Sequence, residues 1–329
     1  MMKLSTMKKV VATVDHNWRS PLAEQILDRW GYDEGSVYYI RASANFIFVC
    51  KQNGKVRFLR FNDLSERDFQ TTQSELNILH YLKSKQVKAA QPILSKTNNY
   101  MEVVETEIGT FCAVLFEGFT GKQLEVEELN EKDYFIWGKA LGQLHQAFKD
   151  APVELKTARS NWKEQLLKVK KMLPKEETEA LQELELIQTW ADLLPITSDN
   201  FGLIHYDFEL DNLRWENNEI GMIDFDESAN YWFVADIAFA LRDLLDRGIT
   251  LDDPLMATFI KGYETELTVD MALLKDLQLF SRMHQLIQFS RLLRTLDIKE
   301  AGDQPDWLAP LTKKLQQKVE AYRNSLIGK

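Results

Sequence analysis

Apolar residues recur along this chain with two different periods, and each change of period marks a change of element. From Asn17 to Trp30, Leu22, Ile26 and Trp30 fall four residues apart, one face of a helix whose first turn suits Pro21. Three runs rich in Val, Ile, Phe and Tyr follow, Ser36–Arg41, Asn45–Lys51 and Lys55–Phe61, with Gln52-Asn53-Gly54 as a hairpin turn and the small Ala42-Ser43-Ala44 as the first connection. Leu64–Lys83 turns helical, with Leu76, Leu79 and Leu82 on one face and Glu75 beside it. Tyr100–Glu105 and Thr110–Phe116 return to strand character.

After Glu117-Gly118-Phe119-Thr120-Gly121, which reads as a linker, the pattern is almost wholly helical. Tyr134–Phe148 carries Trp137, Leu141, Leu144 and Phe148 on one stripe, and Asn161–Leu173, Lys175–Leu194, Leu273–Leu296 and Lys313–Ile327 are periodic in the same way. One island of strands interrupts them, Gly202–His205 and Ile220–Ile223, with Leu213–Trp215 as a short partner. The expected architecture is α+β and two-lobed. Residues 1–116 form a small antiparallel-sheet lobe, 117–121 a hinge, and 122–329 a larger, mainly helical lobe. A cleft between lobes is a common ligand site.

Composition narrows the function. The chain has 329 residues, 45% hydrophobic and 27% charged, the balance of an ordinary globular protein. Fifty acidic residues against 40 basic ones give a net charge of -10, which argues against nucleic acid and mildly favours a cationic partner. Cys50 and Cys112 sit in apolar runs with no CxxC or Cys/His cluster, so they read as buried thiols of a reducing, cytoplasmic setting rather than zinc ligands. Met1–Val14 lacks an apolar core of signal-peptide length, and no apolar run reaches the roughly 18 residues of a membrane span.

The chemistry concentrates in His205-Tyr206-Asp207-Phe208-Glu209-Leu210-Asp211-Asn212 and Asp224. Buried carboxylates at strand ends cost several kcal/mol unless a cation or proton compensates. Phosphoryl transfer needs a residue that positions the attacking hydroxyl and oxygen ligands for magnesium. Asn212 and Asp224 supply such oxygens, which leaves Asp207 to accept the hydroxyl proton. The bland alternatives are turn-forming polar residues, or a His205, Asp207 and Glu209 metal cluster that lacks a further histidine nearby.

The spacing H-x-D-x-x-x-x-N followed by I-D-x-D resembles the catalytic and metal-binding loops of the aminoglycoside phosphotransferase and choline kinase superfamily, which has a protein-kinase-like fold. The resemblance spans about Ala42 to Arg247. It implies that Asp207 is the catalytic aspartate and that Asn212 and Asp224 are magnesium ligands. His205 would be a structural support, Asp226 the second acid of the run, and Asp236 the brace of the catalytic loop. In the small lobe it implies that Arg60 contacts phosphate with Glu75 as its partner. Ser43-Ala44-Asn45 would cover the phosphates, and Phe116 to Gly118 would meet adenine by stacking and through backbone hydrogen bonds. ATP, with GTP as the other donor, would phosphorylate a hydroxyl of a small molecule such as an aminoglycoside, amino alcohol, homoserine or sugar.

Four positions depart from the family pattern. Tyr206 stands where glycine is usual, Glu209 and Asp211 stand where histidine and glycine are common, and Arg60 fills the place often held by lysine, keeping the charge but changing the geometry. There is no G-x-G-x-x-G loop and no Walker A motif. A protein Ser/Thr kinase is the first rival reading, but no A-P-E-like run follows Asp224. The second is a non-catalytic nucleotide binder. Without the resemblance, Arg60 and Glu75 read as a surface ion pair, His205 as a core histidine and Asp236 as a helix cap. His16, His80, His145 and His284 have no motif context. Tyr231-Trp232-Phe233 are placed near the cleft, and Leu273–Leu296 in the core or on an acceptor pocket.

Overall fold

The computed structural model describes residues 1–298 and 304–326. Its first part runs α1 (Leu4–Val11), α2 (Pro21–Leu27), β1 (Tyr38–Ala42), β2 (Phe46–Gln52), β3 (Lys55–Asp63), α3 (Phe69–Ser84), β4 (Glu102–Thr106) and β5 (Gly109–Glu117). The five strands form one antiparallel sheet in the order β1-β2-β3-β5-β4. Alternation along the strands gives the sheet two apolar faces. Phe46, Phe48, Leu59 and Phe61 are fully buried on one, while Ile47, Phe58, Arg60 and Phe116 line a cavity on the other. The register sets Arg60 opposite Ile47 on β2 and Val114 on β5, in the middle of that cavity wall.

The second part continues with α4 (Glu131–Lys149), α5 (Val153–Thr157), α6 (Trp162–Met172), α7 (Thr178–Asp192), β6 (Phe201–Ile204), β7 (Leu213–Glu216), β8 (Glu219–Met222) and β9 (Ala229–Trp232). It closes with α8 (Phe233–Ala240), α9 (Arg242–Asp246), α10 (Pro254–Tyr263), α11 (Met271–Leu274), α12 (Leu277–Thr295) and α13 (Leu308–Leu326). The helix expected to reach Ile327 is described only to Leu326. Helix α12 packs on α6, α7, α8 and α13 and buries Phe280, Met283, Leu286 and Ile287. No helix among the described residues is long and apolar enough to cross a membrane.

Helices α4 and α10 touch backbone to backbone. A Cβ on Gly138 would lie 1.9 Å from the Phe259 carbonyl oxygen, and one on Gly262 2.0 Å from that of Phe135. Two main chains cannot yield as a side chain can, so Gly138→Ala is expected to destabilise the fold by about 3 kcal/mol. A fall in the urea midpoint at unchanged m-value checks this.

Several elements differ from the sequence reading. The helix expected from Asn17 begins at Pro21, because Ser20 Oγ accepts from the Ala23 amide and caps it there. The helix expected from Leu64 begins at Phe69, where Asp68 accepts from the Thr71 amide. Helix α1 was not anticipated. Residues 213–216 do pair with 219–222, but β6 pairs with β9, whose residues were not read as a strand. The long helix from Leu273 is broken at Lys275 and Asp276.

Candidate active site

Strand β6 ends at Ile204, and the backbone turns out of it through Tyr206 at φ +75°. That left-handed conformation is uncommon for a bulky residue and persists only where the surroundings enforce it. Here Asp236, in the first turn of α8 and fully buried, accepts the His205 amide at 2.9 Å and the Tyr206 amide at 2.8 Å. His145 on α4 joins the same carboxylate (2.9 Å) to the Tyr263 hydroxyl (2.8 Å). The Tyr206 ring is wedged among Tyr231, Phe239 and His284. Tyr231 and Trp232 are themselves fully buried and do not line the cleft.

His205 is buried, and desolvation lowers its pKa, so the ring is neutral. Its Nδ1 accepts the Asp207 amide (3.3 Å) and its Nε2–H donates to the Ile223 carbonyl (3.1 Å). The imidazole thus ties the loop to the residue before Asp224. The β7-β8 hairpin makes the return, and the Ile223 amide donates to the Asn212 carbonyl at 3.0 Å.

The structure thereby gathers Asp207, Asn212 and Asp224 on the wall of a cleft of about 760 Å³. Asn212 Nδ2 donates to Asp207 Oδ2 at 3.0 Å, which turns its carbonyl oxygen the other way. Asp224 sits at φ +66°. Its Oδ1 is buried, has no hydrogen-bond partner among the described residues, and lies 3.5 Å from Arg60 Nη1. Desolvation, then the neighbouring Asp226, push the Asp224 carboxyl well above the usual carboxylate range. An orphaned carboxylate oxygen of raised pKa beside a free amide carbonyl is a donor set that a hard divalent cation fits. Among the described residues no three His, Cys, Asp or Glu side chains gather as metal ligands.

Asp226 is placed differently from Asp224. Burial would raise its pKa, but Arg67, 2.7 Å away, holds it below the usual range, and Asn45 Nδ2 donates to it at 2.7 Å. The Ser43-Ala44-Asn45 turn therefore reaches across to Asp226. Ser43 and Ala44 line the cleft, while the Asn45 side chain is spent on that contact.

On the sheet side, Arg60 forms a two-pronged ion pair with Glu75 at 2.7 and 2.5 Å, and its guanidinium stacks over Phe116 at 4.9 Å. Both partners of the pair are buried, so it is not a surface pair. Beside them lies a cavity of about 310 Å³ walled by Ile40, Ile47, Phe58, Leu79, Phe116 and Ile223. The expected backbone contacts from Phe116 to Gly118 change here. The Glu117 amide donates to the Gln91 carbonyl (2.9 Å) and the Gly118 amide to that of Val56 (3.1 Å), so neither is free. A Cβ on Gly118 would meet the same Val56 oxygen at 2.7 Å, and close strand approach explains the glycine.

A profile of the phosphotransferase enzyme family matches residues 41–277. The chain belongs to that family. The amicoumacin kinase of Bacillus subtilis (strain 168) is 24% identical to it over 286 residues, 84% of this chain and 85% of that protein. An amicoumacin kinase solved with AMP-PNP and Ca2+ superimposes with a TM-score of 0.76 at 22% identity, covering 95% of this chain and 96% of the other. A microcompartment-associated aminopropanol kinase gives 0.66 at 17%, covering 93% and 98%. A spectinomycin phosphotransferase solved with ADP and spectinomycin gives 0.62 at 15%, covering 93% and 97%. These likenesses establish the two-lobed protein-kinase-like fold.

The phosphotransferase cleft has a second wall that no motif announced. Arg242, at the start of α9, lies 3.4 Å from Asp207 Oδ1 and is paired with Glu209. His284 and Gln285 on α12 and Lys318 and Tyr322 on α13 complete the cleft. Arg291 is bound to Glu227 at 2.8 Å, and Glu227 to Arg67 at 2.9 Å. The marks of this wall in the sequence were the departure at Glu209 and the reading that placed Leu273–Leu296 in the core or on an acceptor pocket. His145 and His284, without motif context in the sequence, both belong to the surroundings of the loop.

Proposed function

We propose that this phosphotransferase moves the γ-phosphoryl group of ATP to a hydroxyl of a small molecule, with Asp207 as the residue that receives the hydroxyl proton. One observation carries the reading. Asp207, Asn212 and the orphaned Asp224 oxygen converge between an apolar slot beneath Phe116 and an open cleft of about 760 Å³. The slot suits a purine base, which ATP supplies. Arg60 reaches toward the position of the phosphates, held there by Glu75. The acceptor hydroxyl donates to Asp207, and its oxygen bonds to the γ-phosphorus as the bond to the bridging oxygen breaks. The proton passes to Asp207 and then to solvent. Magnesium held by Asn212 Oδ1 and Asp224 would neutralise charge on the phosphates. Asn212 keeps one carboxylate oxygen of Asp207 fixed, so the other is presented to the hydroxyl.

The size of the cleft supports an acceptor of drug-like dimensions, since such pockets typically measure roughly 300–1,000 Å³. Asp211 and Asp246 on its wall favour one that carries positive charge. A coupled assay with ATP and magnesium over aminoglycosides, amino alcohols, homoserine, sugars and amicoumacin tests the reading. Phosphorylation of generic proteins instead would support the Ser/Thr kinase rival, and nucleotide binding with no turnover would support the non-catalytic one.

The orphaned oxygen makes a separate prediction. Asp224→Asn removes a carboxylate that desolvation and Asp226 disfavour. The metal-free variant is expected to melt about 2 °C higher than wild type. It is also expected to lose the further rise that magnesium with nucleotide produces in wild type. Thermal unfolding with and without magnesium and a non-hydrolysable ATP analogue checks both.

A further inference from the structure

Asp207 is approached from the acceptor side by a cation that has its own anchors. Arg242 Nη1 lies 3.4 Å from Asp207 Oδ1, and its Nη2 is bound to Glu209. The third anchor is His284. Its Nε2 lies 3.3 Å from Arg242 Nη1 and 3.4 Å from Gln288 Nε2. Both neighbours are donors, so Nε2 accepts and the ring proton sits on Nδ1, which has no partner among the described residues. Burial, then Arg242 and Arg291, hold the imidazole well below its ordinary pKa, as an acceptor toward arginine requires. A guanidinium with a carboxylate on one prong and an imidazole nitrogen on the other has little freedom left to rotate.

We propose that Arg242 is the positioning residue for Asp207, and that Glu209 and His284 hold Arg242 in place. The two carboxylate oxygens of Asp207 are then oriented from opposite sides, Oδ2 by Asn212 and Oδ1 by Arg242. This explains why an acid stands at position 209. With Arg242 opposite, a neutral or cationic residue there would leave the Nη2 prong of the guanidinium without its anion in a partly buried wall. Arg242 acts through Asp207 and takes no proton itself.

The inference rests on the phosphotransfer reading, and its test separates the two. Magnesium-dependent ATP turnover is measured with water and with any hydroxyl compound accepted in the screen above. The proteins are wild type, Arg242→Met, Arg242→Ala and Glu209→Gln, each checked for folding and for affinity toward a non-hydrolysable ATP analogue. Arg242→Met is expected to lower kcat about 100-fold while KM for ATP stays within about two-fold, the signature of a misplaced reacting group. Guanidinium at tens of millimolar is expected to restore about ten-fold in Arg242→Ala and nothing in Asp207→Ala, a rescue that loss of packing would not show. Glu209→Gln is expected to lose about ten-fold, with a double variant no worse than Arg242→Met alone, because the two residues act as one unit. If Arg242→Met does not fold, Arg242→Lys serves. It keeps the charge, cannot span Asp207 and Glu209 together, and should lose about ten-fold in kcat.

Turnover within about three-fold of wild type in Arg242→Met, a loss confined to KM, or absence of guanidinium rescue overturns the positioning role and leaves the phosphotransfer reading intact. A wild type that binds nucleotide but turns over neither with water nor with any acceptor overturns both.

Discussion

Asp207→Asn is expected to lower phosphoryl transfer about 1,000-fold, with the unfolding temperature and nucleotide affinity close to wild type. A positioned proton acceptor contributes roughly 10²–10⁴-fold in rate, and Asp207 lies on the cleft wall beside Asn212 and Asp224 with one carboxylate oxygen not bound to Asn212. Its side chain is partly exposed, at 29%, so the fold does not depend on it as it does on Asp236. Asparagine keeps the shape, and its carbonyl oxygen can still receive the Asn212 amide. What it lacks is the capacity to take a proton. Steady-state kinetics with the acceptor found by screening, alongside a thermal melt, give the result. A variant that folds, binds nucleotide and retains normal turnover would remove Asp207 from the mechanism.

The second large effect falls on stability. Arg60→Met is expected to destabilise the protein by about 3–5 kcal/mol, because it leaves Glu75 buried without its cation. Glu75 is 1% exposed and receives both prongs of the guanidinium. Pairing the change with Glu75→Leu removes the stranded charge and is expected to recover most of the stability, to within about 1–2 kcal/mol of wild type. Nucleotide affinity should not recover, since the group that reaches toward the phosphates is gone in both variants. Urea unfolding and calorimetric titration with an ATP analogue separate the two roles. Recovery of both would make the pair structural, and recovery of neither would place its main contribution elsewhere.

These expectations show how unevenly the site was legible. The loop His205 to Asn212 and Asp224 stood out because apolar strands ending in polar groups have no packing explanation. Their contiguity in sequence made the arrangement readable within one hairpin. Asp236 could be singled out by resemblance, but its work became visible only when His205 and Tyr206, from the loop after β6, and His145, from α4, met on its carboxylate. Arg242 and His284 lie 35 and 77 positions beyond Asp207 in the chain numbering. Nothing in the local pattern of α9 or α12 distinguishes a residue that faces the cleft from one that faces solvent. The partner of the Gly118 amide was hidden for a similar reason. A sequence shows that an amide exists, whereas only strand pairing shows that Val56 already holds it.

The sequence by itself determined most of the succession of elements, with α1 and β9 missed, the five-stranded sheet before a helical body, and the residue types in the loop His205 to Asn212. Periodicity and turn chemistry are local properties, and they are written in neighbouring residues. The tertiary structure alone decided which charges meet. It set Arg60 between Glu75 and Asp224, bound Asp226 to Arg67 while leaving Oδ1 of Asp224 without a hydrogen bond among the described residues, and aimed Arg242 at Asp207. Charge interactions depend on distance in space and on burial, and neither is set by separation along the chain.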